Sequence, residues 1–386
     1  GAKYGFQLLW LAPFTFPLMA MVQEMCARIG LVTGEGLAGN IKRHYGKKIL
    51  YFSTLLLFFA NTFNLGADLG AMAKASQLVF PNVSFTILIL FFTFACLALQ
   101  IFTTYAKYAK YLKYLALLLL SYVLSAVVLD LDWTQIFKSA ATPSVVFSRD
   151  QIFMICAILG TTISPYLFFW QTAQEVEEDI LKGKITIEAR RGANLVEIKR
   201  MRADVWSGMF LSNLVMFFII LACAATLHAN GITNIESAEQ AAMALRPLAG
   251  EFAFLLFTLG IVGAGMLAVP ILAGSASYAI SESFDWDRGF NLKLNQAYAF
   301  YGVIIISMFM GLLMNFMNFD SIDMLIYSAV ANGIISPFIL MLIVSISSDN
   351  HIMHGHANGR FTKIIGWLTV GLMLVSSGAV IFSFIV

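Results

Sequence analysis

Apolar runs of about 20 residues, the length of helix that crosses a bilayer, recur along the whole chain and constrain its fold more than any single motif. Ten such runs lie near 6–24, 49–72, 84–103, 112–130, 151–173, 206–227, 252–274, 297–317, 323–346 and 363–385. In a bilayer every backbone polar group must be satisfied within the structure, so only helices and closed barrels can span. A barrel would need short strands of alternating polarity, whereas these runs are continuously apolar and rich in Leu, Phe and Met. The prediction is an all-α polytopic membrane protein. Only 12% of the residues are charged against 59% hydrophobic, and no stretch between runs could build a soluble domain. Residues 1–386 read as one transmembrane unit.

Charge then orients it. The segment Arg28–Lys48 carries five Lys or Arg and five Gly. Further basic loops hold Lys107, Lys110 and Lys113, then the run Lys182–Arg202, then Arg288 and Lys293, then Arg360 and Lys363. The intervening loops carry mainly Lys138, Arg149 and Arg246. The positive-inside rule puts the basic loops in the cytoplasm and both termini outside. A first residue already outside is ordinarily delivered there by a preceding helix, so a helix before Gly1 is expected. Short loops suit a multi-pass protein of a bacterial inner membrane.

Several features invite sharper readings than they support. Cys26, Cys96, Cys156 and Cys223 have no paired spacing and read as small core residues. Tyr105, Lys107, Tyr108, Lys110, Tyr111, Lys113 and Tyr114 form an interfacial anchor belt, which leaves no case for nucleic-acid binding. The basic run 182–202 reads as a solvated hairpin with anionic-lipid contact as an alternative, and His351, His354 and His356 as a polar loop, with metal sensing as the alternative. No protein partner is evident. A membrane-embedded enzyme would need a coherent catalytic set such as His-Glu-x-x-His or paired intramembrane aspartates, and the chain has neither.

The informative span is Ala157–Gln174, interrupted by Gly160, Thr161, Thr162, Ser164 and Pro165. Pro165 removes a backbone donor and clashes with the carbonyl four residues back, and Gly160 costs about 1 kcal/mol in a helix. Either the helix kinks or it breaks. A break leaves carbonyls and hydroxyls that lipid does not tolerate, and marks a transport site. Polar groups within other spans are candidates to join it. Asn61, Asn64 and Asp68 occupy the second span, with Asn64 and Asp68 on one face. Asp68 either lines the cavity, sits near the outer interface, or pairs with Lys74. Asn213 suggests interhelical glue. Ser328, Asn332 and Ser336 precede Pro337 and predict a second, weaker interruption.

Three stretches carry a family resemblance. Ala27-Arg-Ile-Gly-Leu-Val-Thr-Gly-Glu-Gly-Leu-Ala38 resembles the connection after the second helix of the Nramp divalent-metal transporters. Gly160-Thr-Thr-Ile-Ser-Pro-Tyr166 is similar to that family's sixth-helix Gly-Ala-Thr-Val-Met-Pro-His pattern, and Gly66-Ala-Asp-Leu-Gly-Ala-Met72 to its third-helix Ala-Asp-Leu-Gln-Glu region. The resemblance spans the chain. It implies a LeuT-type fold of two inverted five-helix repeats plus one helix. The first repeat would be about 1–131 without its first helix, the second about 150–346, and the extra helix about 363–386.

The resemblance also implies a cation site between unwound first and sixth helices, and here the chain departs from the pattern. The Asp-Pro-Gly-Asn helix has no counterpart before Gly1. Ser164 stands where the family has a metal-binding Met, Thr161 where it has Ala, Tyr166 where it has His, and Ala71 where it has Glu, while Asp68 keeps the Asp. This pattern resembles the Nramp-related magnesium transporters.

The expectations follow from these exchanges. Thr161 and Ser164 would face the ion or its waters, with Asn332 behind them, while Asn64, Asp68, Tyr166 and Ser328 would line the cavity or couple protons. Gly160 and Pro165 would set the break. A thioether favours Mn²⁺ and Fe²⁺, so its loss favours hard cations, and Mg²⁺ prefers oxygens and keeps part of its water shell. A phenol, which in water ionises near pH 10, relays protons poorly at neutral pH and leaves Asp68 as the main candidate. The expected cargo is Mg²⁺ with Mn²⁺ also carried, without a cofactor or obligatory H⁺ symport. A proton-coupled Mn²⁺/Fe²⁺ transporter and an amino-acid permease of the same fold are the alternatives.

Overall fold

A computed structural model describes residues 1–103, 114, 117–146, 148–235, 237–317 and 321–385. Among these residues the regular structure is helical. We number thirteen helices: α1 (Leu11–Thr33), α2 (Leu37–Tyr45), α3 (Lys47–Val79), α4 (Phe85–Phe102), α5 (Ser121–Val128), α6 (Trp133–Ala141), α7 (Arg149–Thr162), α8 (Pro165–Leu181), α9 (Leu195–Thr226), α10 (Ala253–Phe284), α11 (Tyr298–Met314), α12 (Ser321–Ser348) and α13 (Arg360–Ile385).

Among the described residues seven spans are long and apolar enough to cross a membrane, α7 and α8 together making one of them, so this is a multi-pass membrane protein. The remaining expected spans fall on shorter or more polar helices. Run 297–317 becomes the 17-residue α11, and run 112–130 is described as an apolar helix over Leu117–Val128. Run 6–24 becomes α1, which begins later, after turns over residues 2–10, and continues to Thr33. Its second half is polar because it buries an ion network. Glu24 accepts from Arg202 Nη2 at 2.8 Å and from Trp206 Nε1 at 2.8 Å, with Arg28 one turn away. A carboxylate inside a bundle is tolerated when it is paired in this way. Most of the Tyr/Lys belt lies outside the described residues.

α3 and α10 pack along much of their length and form the centre of the bundle. Asn61 of α3 donates to the Leu272 carbonyl (2.9 Å) and Ser275 Oγ (2.8 Å) of α10, and Thr258 of α10 donates to the Ala75 carbonyl (2.7 Å). Two other seams close through glycine. A Cβ on Gly30 of α1 would lie 2.4 Å from the Thr172 carbonyl of α8, and one on Gly160 of α7 would lie 2.0 Å from the Ala329 carbonyl of α12. Small residues let membrane helices approach backbone to backbone, where dispersion and weak hydrogen bonds replace the missing hydrophobic drive. Asn213 is glue as expected, accepting from Thr15 Oγ1 of α1 at 3.2 Å.

The second expected interruption is absent. α12 runs unbroken through Pro337. A proline frees the carbonyl four residues back, and that carbonyl, Gly333, accepts instead from Ser377 Oγ of α13 at 2.9 Å. An outside hydroxyl repairs the ladder, so the helix need not open.

Basic loops gather at one end. Arg190 donates to the carbonyls of Gly34, Lys184 and Ile185, Lys42 pairs with Asp285, and Arg28 bonds Asn358. The run 182–202 is thus tied down as well as solvated, with Arg190 buried. At the opposite end Ala2 meets His228 and Lys3 meets Asp150. The native cysteines are buried, except half-buried Cys223. A Ser144→Cys variant should therefore react with an impermeant maleimide from outside the cell, and Glu188→Cys only after permeabilisation. The reverse pattern would invert the orientation.

Candidate functional site

The interrupted span is a true break. α7 ends at Thr162, α8 starts at Pro165, and Ile163 (φ −107°, ψ 70°) and Ser164 (φ −98°, ψ 131°) between them are non-helical. Pro165 sits at the first position of α8, where its missing N–H costs nothing. The negative end of one helix dipole and the positive end of another meet at this point.

The carbonyls freed at the end of α7 are partly claimed by hydroxyls. Ser164 Oγ, fully buried, donates to the carbonyls of Gly160 (2.6 Å) or Thr161 (2.9 Å), leaving its lone pairs as its contribution to any ligand. Thr162 Oγ1 turns back onto the Ile158 and Leu159 carbonyls. The Ile163 carbonyl accepts from Ser336 Oγ of α12 at 2.6 Å. Thr161 differs from its neighbours in being exposed. It lines a cleft of about 390 Å³ between the break, α1 and α9, shared with Tyr166, Met19, Asn213, Met209 and Met216.

α12 backs the break on the other side. Gly160 and Gly333 touch, Ser336 reaches Ile163, and buried Asn332 keeps its Oδ1 without a hydrogen-bond partner. Asn332 does not reach the cleft that Thr161 lines. On α3, Asn64 Oδ1 accepts from Ser328 Oγ of α12 at 3.0 Å, so two of the expected polar residues meet. Asp68, one turn further, is half-buried and close enough to Tyr166 to interact electrostatically. Lys74 is not its partner: its ammonium lies over the Phe85 ring, 5.2 Å from the centroid.

Two groups escaped the sequence reading. Gln23 of α1 donates to the Leu167 carbonyl (3.2 Å) and Gln171 Oε1 (3.2 Å), and Gln171 donates to Glu175 (2.9 Å). This polar string leaves the break toward the basic end, and buried Gln23 Oε1 has no hydrogen-bond partner. A glutamine inside an apolar run was the available signal. Met19, Met209 and Met216 gave none, because methionine in a membrane helix reads as core. Among the described residues no three His, Cys, Asp or Glu converge to hold a metal, so a cation here would rely on carbonyls, hydroxyls, amides and thioethers.

A family model described as natural resistance-associated macrophage protein-like, Nramp, matches residues 1–383. The chain belongs to the Nramp family. This Nramp chain is 25% identical over 386 residues to the divalent metal cation transporter MntH of Klebsiella pneumoniae, covering 98% of itself and 87% of that relative. Among solved structures, the Eremococcus coleocola manganese transporter bound to an aromatic bis-isothiourea compound superposes with a TM-score of 0.74 at 14% identity, over 100% of this chain and 89% of that one. Mhp1, a nucleobase-cation-symport-1 family transporter in a closed conformation, superposes at 0.53 and 14% identity, over 99% and 85%. These likenesses establish the expected LeuT-type fold for the Nramp chain.

Proposed function

We propose that this Nramp protein is a carrier of divalent metal cations, taking up Mg²⁺ with Mn²⁺ also admitted, and without obligatory proton symport. Family membership and the likeness to the divalent metal cation transporter MntH support divalent-metal transport. The single observation that carries the finer reading is the chemistry of the break. The polar side chains at and just before it are those of Thr161, Thr162 and Ser164, all hydroxyls, and the two residues that leave the helix, Ile163 and Ser164, bring no thioether and no imidazole. Oxygen donors suit Mg²⁺, which holds its waters strongly, and a cleft of about 390 Å³ leaves room for a partly hydrated ion.

A second reading, preferential Mn²⁺ transport, is favoured by the three methionines on the same cleft. Met19 Sδ already accepts weakly from Asn213 at 3.9 Å, which leaves Met209 and Met216 as the soft donors. They would keep Mn²⁺ competitive without excluding Mg²⁺.

Proteoliposomes loaded with a Mg²⁺ dye and a pH dye distinguish these cases. The expected result is Mg²⁺ entry with no metal-dependent acidification, and Mn²⁺ entry that excess Mg²⁺ competes away. Acidification in step with metal entry would reject uncoupled transport, and Mn²⁺ flux indifferent to Mg²⁺ would reject the cargo.

A further inference from the structure

Far from the break, three loops of the basic face converge on a small cleft of about 120 Å³. It is lined by Glu35, Arg43 and His44 from the α1–α2 region, Arg191 from the α8–α9 connection, and His351 and His354 from the α12–α13 connection. We propose that this cleft binds a phosphate-type oxyanion, carried either by a free solute or by the headgroup of an anionic phospholipid.

Charge is the first argument. Arg43 is neutralised by Glu35 at 2.5 Å, but the Arg191 guanidinium makes no ion pair with any described residue. Among the residues that line the cleft this leaves one guanidinium without an ion-pair partner, flanked by imidazoles that can hydrogen-bond. Burial, and then Arg43, hold the His44 imidazole below the ordinary histidine range, so at neutral pH it is an uncharged donor or acceptor. A guanidinium beside the uncharged His44 imidazole matches an oxyanion, because charge-assisted hydrogen bonds to phosphate oxygens are the strong ones. Among the described residues no three His, Cys, Asp or Glu are placed to hold a metal ion together.

Rigidity is the second. Asn40 Nδ2 bonds Thr33 Oγ1 (2.9 Å) and the carbonyls of Glu35 (3.1 Å) and Gly36 (2.9 Å), fixing the first wall. The Gly192 N–H donates to the Val32 carbonyl at 2.8 Å and holds Arg191 beside it. The third wall is a turn in which Asp349 Oδ1 accepts the His351 N–H at 2.7 Å and His354 sits at φ +45°, in the left-handed region. Asp349 is the other acid nearby: it keeps its charge but does not line the cleft, and one of its oxygens accepts in that turn. Size is the third argument: about 120 Å³ is the liquid volume of roughly four waters, which fits one tetrahedral oxyanion and excludes a nucleotide.

Histidine footprinting of the full chain with diethyl pyrocarbonate, read by mass spectrometry, provides the test. Inorganic phosphate added to protein in micelles should slow modification of His44, His351 and His354 but not of His228, beyond a sodium chloride control of equal ionic strength. That result assigns a free-solute site. Protection in nanodiscs containing phosphatidylglycerol but not in phosphatidylcholine alone, without added phosphate, assigns the headgroup. Arg191→Gln should weaken either effect about tenfold, and Arg191→Lys should restore part of it. No protection by phosphate or by anionic lipid would overturn the proposal, and this arm needs no variant.

Discussion

Gly160→Ala should prevent assembly of the folded transporter rather than slow its turnover. The added methyl would lie 2.0 Å from the Ala329 carbonyl oxygen and 2.8 Å from Gly333 Cα, both backbone atoms that no rotamer change can move aside. Overpacking a well-filled interior costs about 1–3 kcal/mol when side chains can adjust, and here two helices must part. Gly333→Ala should behave alike, since its methyl would meet the Cys156 carbonyl and sulfur at 2.8 Å. Gly208→Ala in α9, which meets nothing, is the control and should leave stability equal or slightly raised. Thermal unfolding in detergent reads all three. A Gly160→Ala protein as stable as the parent would mean that α7 and α12 are not in backbone contact.

Thr161→Leu should lower metal uptake by tenfold or more while leaving the melting temperature near that of the parent. The side chain opens into the cleft, so a larger apolar group would fill the space that the proposed cation and its water need, without touching the core. Ser164→Leu should cost both uptake and stability, because that side chain is fully buried and its hydroxyl satisfies carbonyls that Pro165 leaves free. Thr161→Ser retains the hydroxyl and should retain flux. Undiminished uptake by Thr161→Leu would show that the cleft lies off the transport path.

How much of this was legible in the chain depended on whether a signal was local. The break was legible because proline and glycine act on their own backbone. The continuity of α12 was not, because the group that repairs the ladder at Pro337 is Ser377, forty residues away and on another helix. The same limit explains why Gly160 read only as a weak helix former: its partner, Gly333, becomes visible only once α7 lies on α12. A pair between Asp68 and Lys74 was one of three readings open from the chain, yet Phe85 at the start of α4 takes the ammonium. Thr161, Ser164 and Asn332 were legible as polar residues near a break, but which of them opens on a cleft depends on packing that sequence does not record.

The two glycine seams have a mechanical consequence. α7 is fastened to α12, and through Ser377 to α13, while α8 is fastened to α1 at Gly30. Any swing between these two bodies must be taken up where the chain passes from one to the other, and there only Ile163 and Ser164 lie outside helical backbone. Rotation about their few dihedrals tilts one body against the other while both helix ladders stay intact, as hinges do in domain closure. Ser164, one of the residues proposed to face the cargo, is then also part of the pivot, so a ligand that bridges the two helix ends would load the joint directly.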